Sequence, residues 1–281
     1  MKKFKLTENE IIHDGHRLYQ IEALSEITIQ GHPVVRAGEL GGFIASEENL
    51  SQEGLSWVFQ DAKVYGNARI FDDAYILGEA IVCGSASISG SAHVLEAAQV
   101  SGTAIVKDYA KVYGGAFVLD NTTIEGCASV GGNSRVFNNA RVREDAVVRG
   151  AARVGEHADI YGNAIVSDRA LVSGTAQISG DAFVTGAATV SQTAAVFSKA
   201  VVSGEAVVIG RAMVYGSAVV TGNATISGDA SVSGSAHVSG GAEIFGSVQV
   251  FEDAIISANV KIFGKIKLGD NVKIYDHPNS R

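Results

Sequence analysis

Seven histidines are the first candidates for chemistry in this chain, because imidazole is the side chain whose ordinary pKa lies nearest neutrality. His157 is the leading candidate base: in Glu156-His157-Ala158-Asp159 it has carboxylates close by to orient the ring. His237 follows, and His93 stands behind it, both at outward positions of one column of a repeat. His13, His16 and His32 belong to an irregular N-terminal segment and His277 to the C-terminal tail. Cys83 and Cys127 lack metal-ligand spacing and have no histidine in the same local unit, which argues against a zinc site and a thiol nucleophile. No Gly-x-x-x-x-Gly-Lys-Ser/Thr loop is present, and no tightly bound cofactor is expected.

The bulk properties narrow the partners. Net charge is −8 with no run of Lys or Arg, so the electrostatic footprint of a nucleic-acid binder is missing. No apolar run approaches the roughly 20 residues of a membrane span. With two cysteines and an opening, Met1-Lys2-Lys3-Phe4-Lys5-Leu6, that lacks an apolar signal core, a cytoplasmic location is expected.

The element that must position any active residue is six residues long. From Ala62 to Val272 every sixth residue is small, usually Ala, and in 35 of 36 repeats the residue two places later is Val or Ile. Residues two apart in a strand share a face, so Ala218 and Val220 point inward while Val219 points out. Two residues past the aliphatic position comes Gly in 22 of 36 repeats, with Asp72, Asp108, Asn138, Asp168 and Asp270 among the exceptions. That choice marks a corner needing positive φ.

Such a unit cannot bury its own inward pair, so units must coil and stack. Three corners per turn give a triangular prism of about twelve 18-residue coils, roughly 58 Å long at the spacing of paired strands. The expected fold is all-β, a single-stranded parallel β-helix spanning 57–276. Residues 1–56 form a small N-terminal β cap, with strands around Asp14-Gly15 and a turn at Gly41-Gly42, and 277–281 form a tail. Val260, Ile266 and Val272 in place of Ala suggest a wider last coil edged by Lys261, Lys265, Lys267 and Lys273.

Projection at 18 residues separates the faces. Val147, Ile165, Phe183, Val201, Val219 and, after His237, Ile255 form one outward apolar stripe, which is expected to be a homo-oligomer interface, dimer or trimer. The alternative cover is the N-terminal segment. Another column, Arg141, Asp159, Gln177, Ala195, Met213, Ser231 and Gln249, is mostly polar. Aromatics such as Tyr113, Phe197, Tyr215, Phe251 and Phe263 follow the aliphatic residue, suiting either ring stacking between coils or a surface for sugar rings. Arg135, Arg141, Arg143, Arg149 and Arg153 fit a ladder of alternating charge, with an anionic ligand as the alternative.

The hexads resemble the hexapeptide-repeat acyltransferase superfamily. The segment from Gly41-Gly42-Phe43-Ile44 through Glu48-Asn49-Leu50-Ser51 and Trp57-Val58 to Ala62-Lys63-Val64-Tyr65-Gly66-Asn67-Ala68 is similar to YdcK-type transferases of enteric bacteria. The resemblance implies a left-handed prism, acetyl-CoA or another acyl-CoA as co-substrate in a groove between protomers, and a histidine base that deprotonates a hydroxyl or amine acceptor. The chain departs from that pattern twice. No loop interrupts the hexads, and no corner residue is His. Nor does it carry the His-x4-His pair of zinc-dependent relatives. A non-catalytic scaffold or binding module is the competing reading.

Overall fold

The computed structural model describes residues 2–29 and 34–275, and the chain divides into two compact units, 1–139 and 140–281. His32 and His277 lie outside the described residues, as does the tail 277–281.

The first unit opens with strands β1 (Phe4–His13) and β2 (His16–Ala23), an antiparallel hairpin. Asp14 and Gly15 both have positive φ at its turn, as a tight hairpin requires. Strand β3 (Leu40–Ile44) pairs antiparallel with β2 and parallel with the strand Lys63–Val64, so the cap extends one sheet and covers its edge. Gly41 and Gly42 lie inside β3 and do not form the turn expected there. Their role is close approach. A Cβ on Gly41 would stand 2.6 Å from the Val58 carbonyl oxygen, and one on Gly42 would stand 2.7 Å from that of Ala62. Phe4 packs edge-on against Trp57 with centroids 6.4 Å apart, and both rings are fully buried.

Each unit is then a parallel β-solenoid of two- or three-residue strands on three faces, consistent with the left-handed β-helix that the resemblance implies. In the first unit Tyr75 pairs with His93 and His93 with Lys111; in the second Val147 pairs with Ile165 and Ile165 with Phe183. Every step is 18 residues. The inward Ala and Val/Ile are fully buried along both units, which leaves no room for a ligand inside. In the last coil Val260, Ile262, Ile266, Leu268 and Val272 are partly or fully exposed, so the inward pattern no longer encloses them.

The corners behave as their residues imply. Asp72, Asp108, Asn138, Asp168 and Asp270 all have φ between 46° and 63°. The acidic corners also have a second role, in that their carboxylates accept the N–H of the corner residue one coil on. Asp72 accepts from Gly90 at 3.0 Å, Glu156 from Gly174 at 2.7 Å and Asp168 from Gly186 at 3.1 Å. This explains why Glu, a poor choice for positive φ alone, occurs at corners 144, 156 and 252.

Lys3 fastens the cap. Its ammonium donates to the Ser56 carbonyl at 2.9 Å and the Ser56 hydroxyl at 3.1 Å, with the Glu53 and Gly54 carbonyls at 3.3 and 3.4 Å. These acceptors are neutral. Burial therefore lowers the ammonium pKa from 10.5 to about 8, with the Asp73 carboxylate partly opposing the shift. The folded state holds this proton less tightly than the unfolded chain, so stability rises with pH between about 8 and 10.5. Melting temperatures taken from pH 8 to 10 should show this rise in the wild type and lack it in Lys3→Met. Parallel pH profiles would remove Lys3 from the latch.

Candidate functional site

One outward column of the first unit differs from the apolar stripe of the second. It runs Trp57, Tyr75, His93, Lys111, Ser129. The neighbouring corner column runs Leu55, Asp73, Ser91, Tyr109, Cys127. Over these two columns lies the segment after β2, held by an antiparallel bridge between Ile27 and Val35, with Ile27 and Ile29 buried. Thr28, Ile29 and Leu55 thus form a rim. Below it opens a groove of about 430 Å³, floored by Tyr75, His93, Lys111 and Ser129 and sided by Asp73, Ser91, Tyr109 and Cys127.

The His93 imidazole is half-buried against the Tyr75 ring, with centroids 3.9 Å apart and planes tilted by 32°. Phe59 packs edge-on to Tyr75 at 6.1 Å. Tyr75 itself is buried, and burial raises its phenol pKa, so it is a neutral platform at physiological pH. The Lys111 side chain next along the ladder is exposed, and Tyr109 is exposed at the groove wall. The result is an imidazole on an aromatic support, surrounded by hydroxyls, one ammonium and one carboxylate. Such a set can bind a polar or anionic molecule and move a proton on it. Among the described residues no group of three or more His, Cys, Asp or Glu is arranged to hold a metal ion.

The other histidines are placed differently. His157 is exposed at a corner; of its neighbouring carboxylates, Glu156 accepts from Gly174, while Asp159 is held by Arg143 through two hydrogen bonds of 3.1 and 3.0 Å. His237 is half-buried between Val219 and Ile255 on the outward stripe. His13 and His16 flank the Tyr65 ring, whose hydroxyl donates to Asp14 at 2.9 Å. Val147, Ile165, Val201, Val219 and Ile255 are partly exposed and Phe183 is 41% exposed, so the stripe is contiguous and accessible in this structure. The N-terminal cap contributes to the rim of the groove in its own unit.

Charged and aromatic side chains pair between neighbouring coils. Lys107 meets Glu125 at 2.9 Å, Arg211 meets Asp229 at 2.6 Å and Lys261 meets Glu243 at 2.8 Å. Arg143 also lies over the Tyr161 ring at 4.1 Å, and Arg135 over Phe117 at 5.3 Å. Phe197 stacks on Tyr215 at 5.0 Å, and Phe245 on Phe263 at 5.3 Å.

Residues 176–192 match the family described as the YdcK beta solenoid repeat. That match covers hexads of the second unit, outside the groove. Among solved structures, Arabidopsis UDP-N-acetylglucosamine acyltransferase aligns at 12% identity with a TM-score of 0.39, covering 68% of this chain and 70% of that one. No curated protein matches the chain. Among the described residues no helix is long and apolar enough to cross a membrane.

The hexad projection could have exposed the groove, since Tyr75, His93 and Lys111 lie in one 18-residue column. What it could not supply is the rim. Residues 24–29 carry no hexad signature, and only their placement turns a flat face into a concave one.

Proposed function

We propose that this YdcK-type solenoid is a CoA-dependent acyltransferase whose acceptor binds in the groove over His93. The observation that carries the reading is the half-buried imidazole on the floor of that 430 Å³ groove, seated on Tyr75 and next to Lys111. It is supported by the resemblance of the hexads to the hexapeptide-repeat transferases. In the proposed step His93 removes the proton from an acceptor hydroxyl or amine as that atom attacks the thioester carbonyl. The carbon–sulfur bond then breaks, the acyl group passes to the acceptor, and CoA leaves as thiolate to be protonated from the imidazolium. Lys111 contributes a positive charge for phosphate or thiolate.

The same reading makes the apolar stripe of the second unit a homo-oligomer face, with acyl-CoA held between protomers. A scaffold role is favoured by one specific observation: from Lys63 to Tyr275 strands and corners alternate without an inserted loop.

The two readings separate by thermal shift. An acyl-CoA present at about 100 times its dissociation constant adds about 2.7 kcal/mol of stability, whereas a scaffold shows no shift with any CoA species. Once a substrate pair is identified, His93→Ala should reduce turnover by about 10²–10⁴-fold, whereas His157→Ala should leave it near wild type. The reverse pattern would move the site to the His157 corner. Val201→Asp should leave the solenoid folded by circular dichroism and lower the mass measured by light scattering; an unchanged oligomer would rule the stripe out as the interface.

A further inference from the structure

In the second unit the outward column one residue past the inward aliphatic runs Phe197, Tyr215, Ser233, Phe251, Gly269. Phe197 and Tyr215 stack with planes only 2° apart. The next rung is Ser233, so the aromatic ladder skips one coil before Phe251. At about 4.8 Å per coil, the backbone rungs that carry Tyr215 and Phe251 stand on the order of 9.6 Å apart. A cavity of about 290 Å³ opens there, with the two rings as walls and Ser231, Ser233, Gln249 and Lys267 lining the rest. Both serines are buried, at 7% and 8% exposure, so polar groups form the base of the slot between the two aromatic residues. A Cβ at position 269 would fall 2.5 Å from Cε2 and Cζ of Phe251. Glycine there leaves room for that ring.

The spacing discriminates between ligands. A flat aromatic ring makes contact at about 3.5–4.0 Å per face, so two walls would close to roughly 7–8 Å around it. A pyranose chair is thicker because axial C–H bonds project from both faces, and its hydroxyls lie around its rim. We propose that this slot binds a hexopyranose ring sandwiched between Tyr215 and Phe251, with its hydroxyls hydrogen-bonded to Ser231, Gln249 and Lys267. This site is separate from the His93 groove and does not depend on the transferase reading.

Saturation-transfer NMR tests it, with irradiation of the protein's aromatic protons and methyl β-D-glucopyranoside or adenosine as probes on the full chain. The ring C–H protons of the glucoside should be saturated in the wild type. Ser233→Phe, which supplies the missing rung with a residue type already accepted at this hexad position, should abolish the signal. Tyr215→Ala removes one wall and should also abolish it, and this variant decides the matter if Ser233→Phe melts early. The proposal is overturned if the glucoside shows no saturation, if its signal survives in folded Ser233→Phe or in Tyr215→Ala, or if adenosine is saturated in its place.

Discussion

The corner is the constraint on which the rest of this structure depends. Six residues must provide a strand and a turn, and the turn closes only if one residue takes positive φ directly beneath the equivalent residue of the next coil. The approach is close: a Cβ on Gly204 would lie 2.9 Å from the backbone nitrogen and oxygen of Gly222. Glycine meets both demands. Where Asp or Glu stands instead, its carboxylate takes the N–H of the following corner, offsetting conformational cost with a charge-assisted hydrogen bond. For exposed Asp168, hydrogen bonds from Thr185 and Gly186 lower the carboxyl pKa, the direction expected when ionisation holds the next coil.

Once the corners fix the register, the interior is determined and the exterior is free. Inward positions are held almost entirely to small residues, usually Ala, and to Val or Ile because three faces converge on a narrow core. Outward positions face only their neighbours 18 residues away, so each column can be tuned independently. The second unit uses that freedom for an apolar stripe, charge ladders and stacked rings. The first uses it for a mixed column of Trp, Tyr, His, Lys and Ser, and its N-terminal segment supplies the wall that makes the column concave.

This division explains what the sequence revealed. The three parallel faces, the 18-residue register and the positive-φ corners followed from a strict period, because backbone geometry admits few solutions to it. The N-terminal hairpin around Asp14-Gly15 was legible for the same local reason. Gly41-Gly42 misled because glycine serves both turns and close contacts, and only the Val58 and Ala62 carbonyls show which applies. His157 drew attention through its flanking acids, whose hydrogen bonds to Gly174 and Arg143 run between coils and are invisible to local reading. His93 ranks below His157 and His237 in the sequence because its column is read there by the apolar residues further along it.

The central claim is that chemistry resides where a non-repetitive segment leans on the regular solenoid. Hydrogen–deuterium exchange of the full chain, with and without saturating acyl-CoA, tests it most directly. The account expects new protection at residues 27–29, 55, 73–75, 91–93 and 109–111, with the rest of the second unit changed only along the Val147 to Ile255 stripe. Protection centred on residues 156–159, with the His93 groove unchanged, would contradict it.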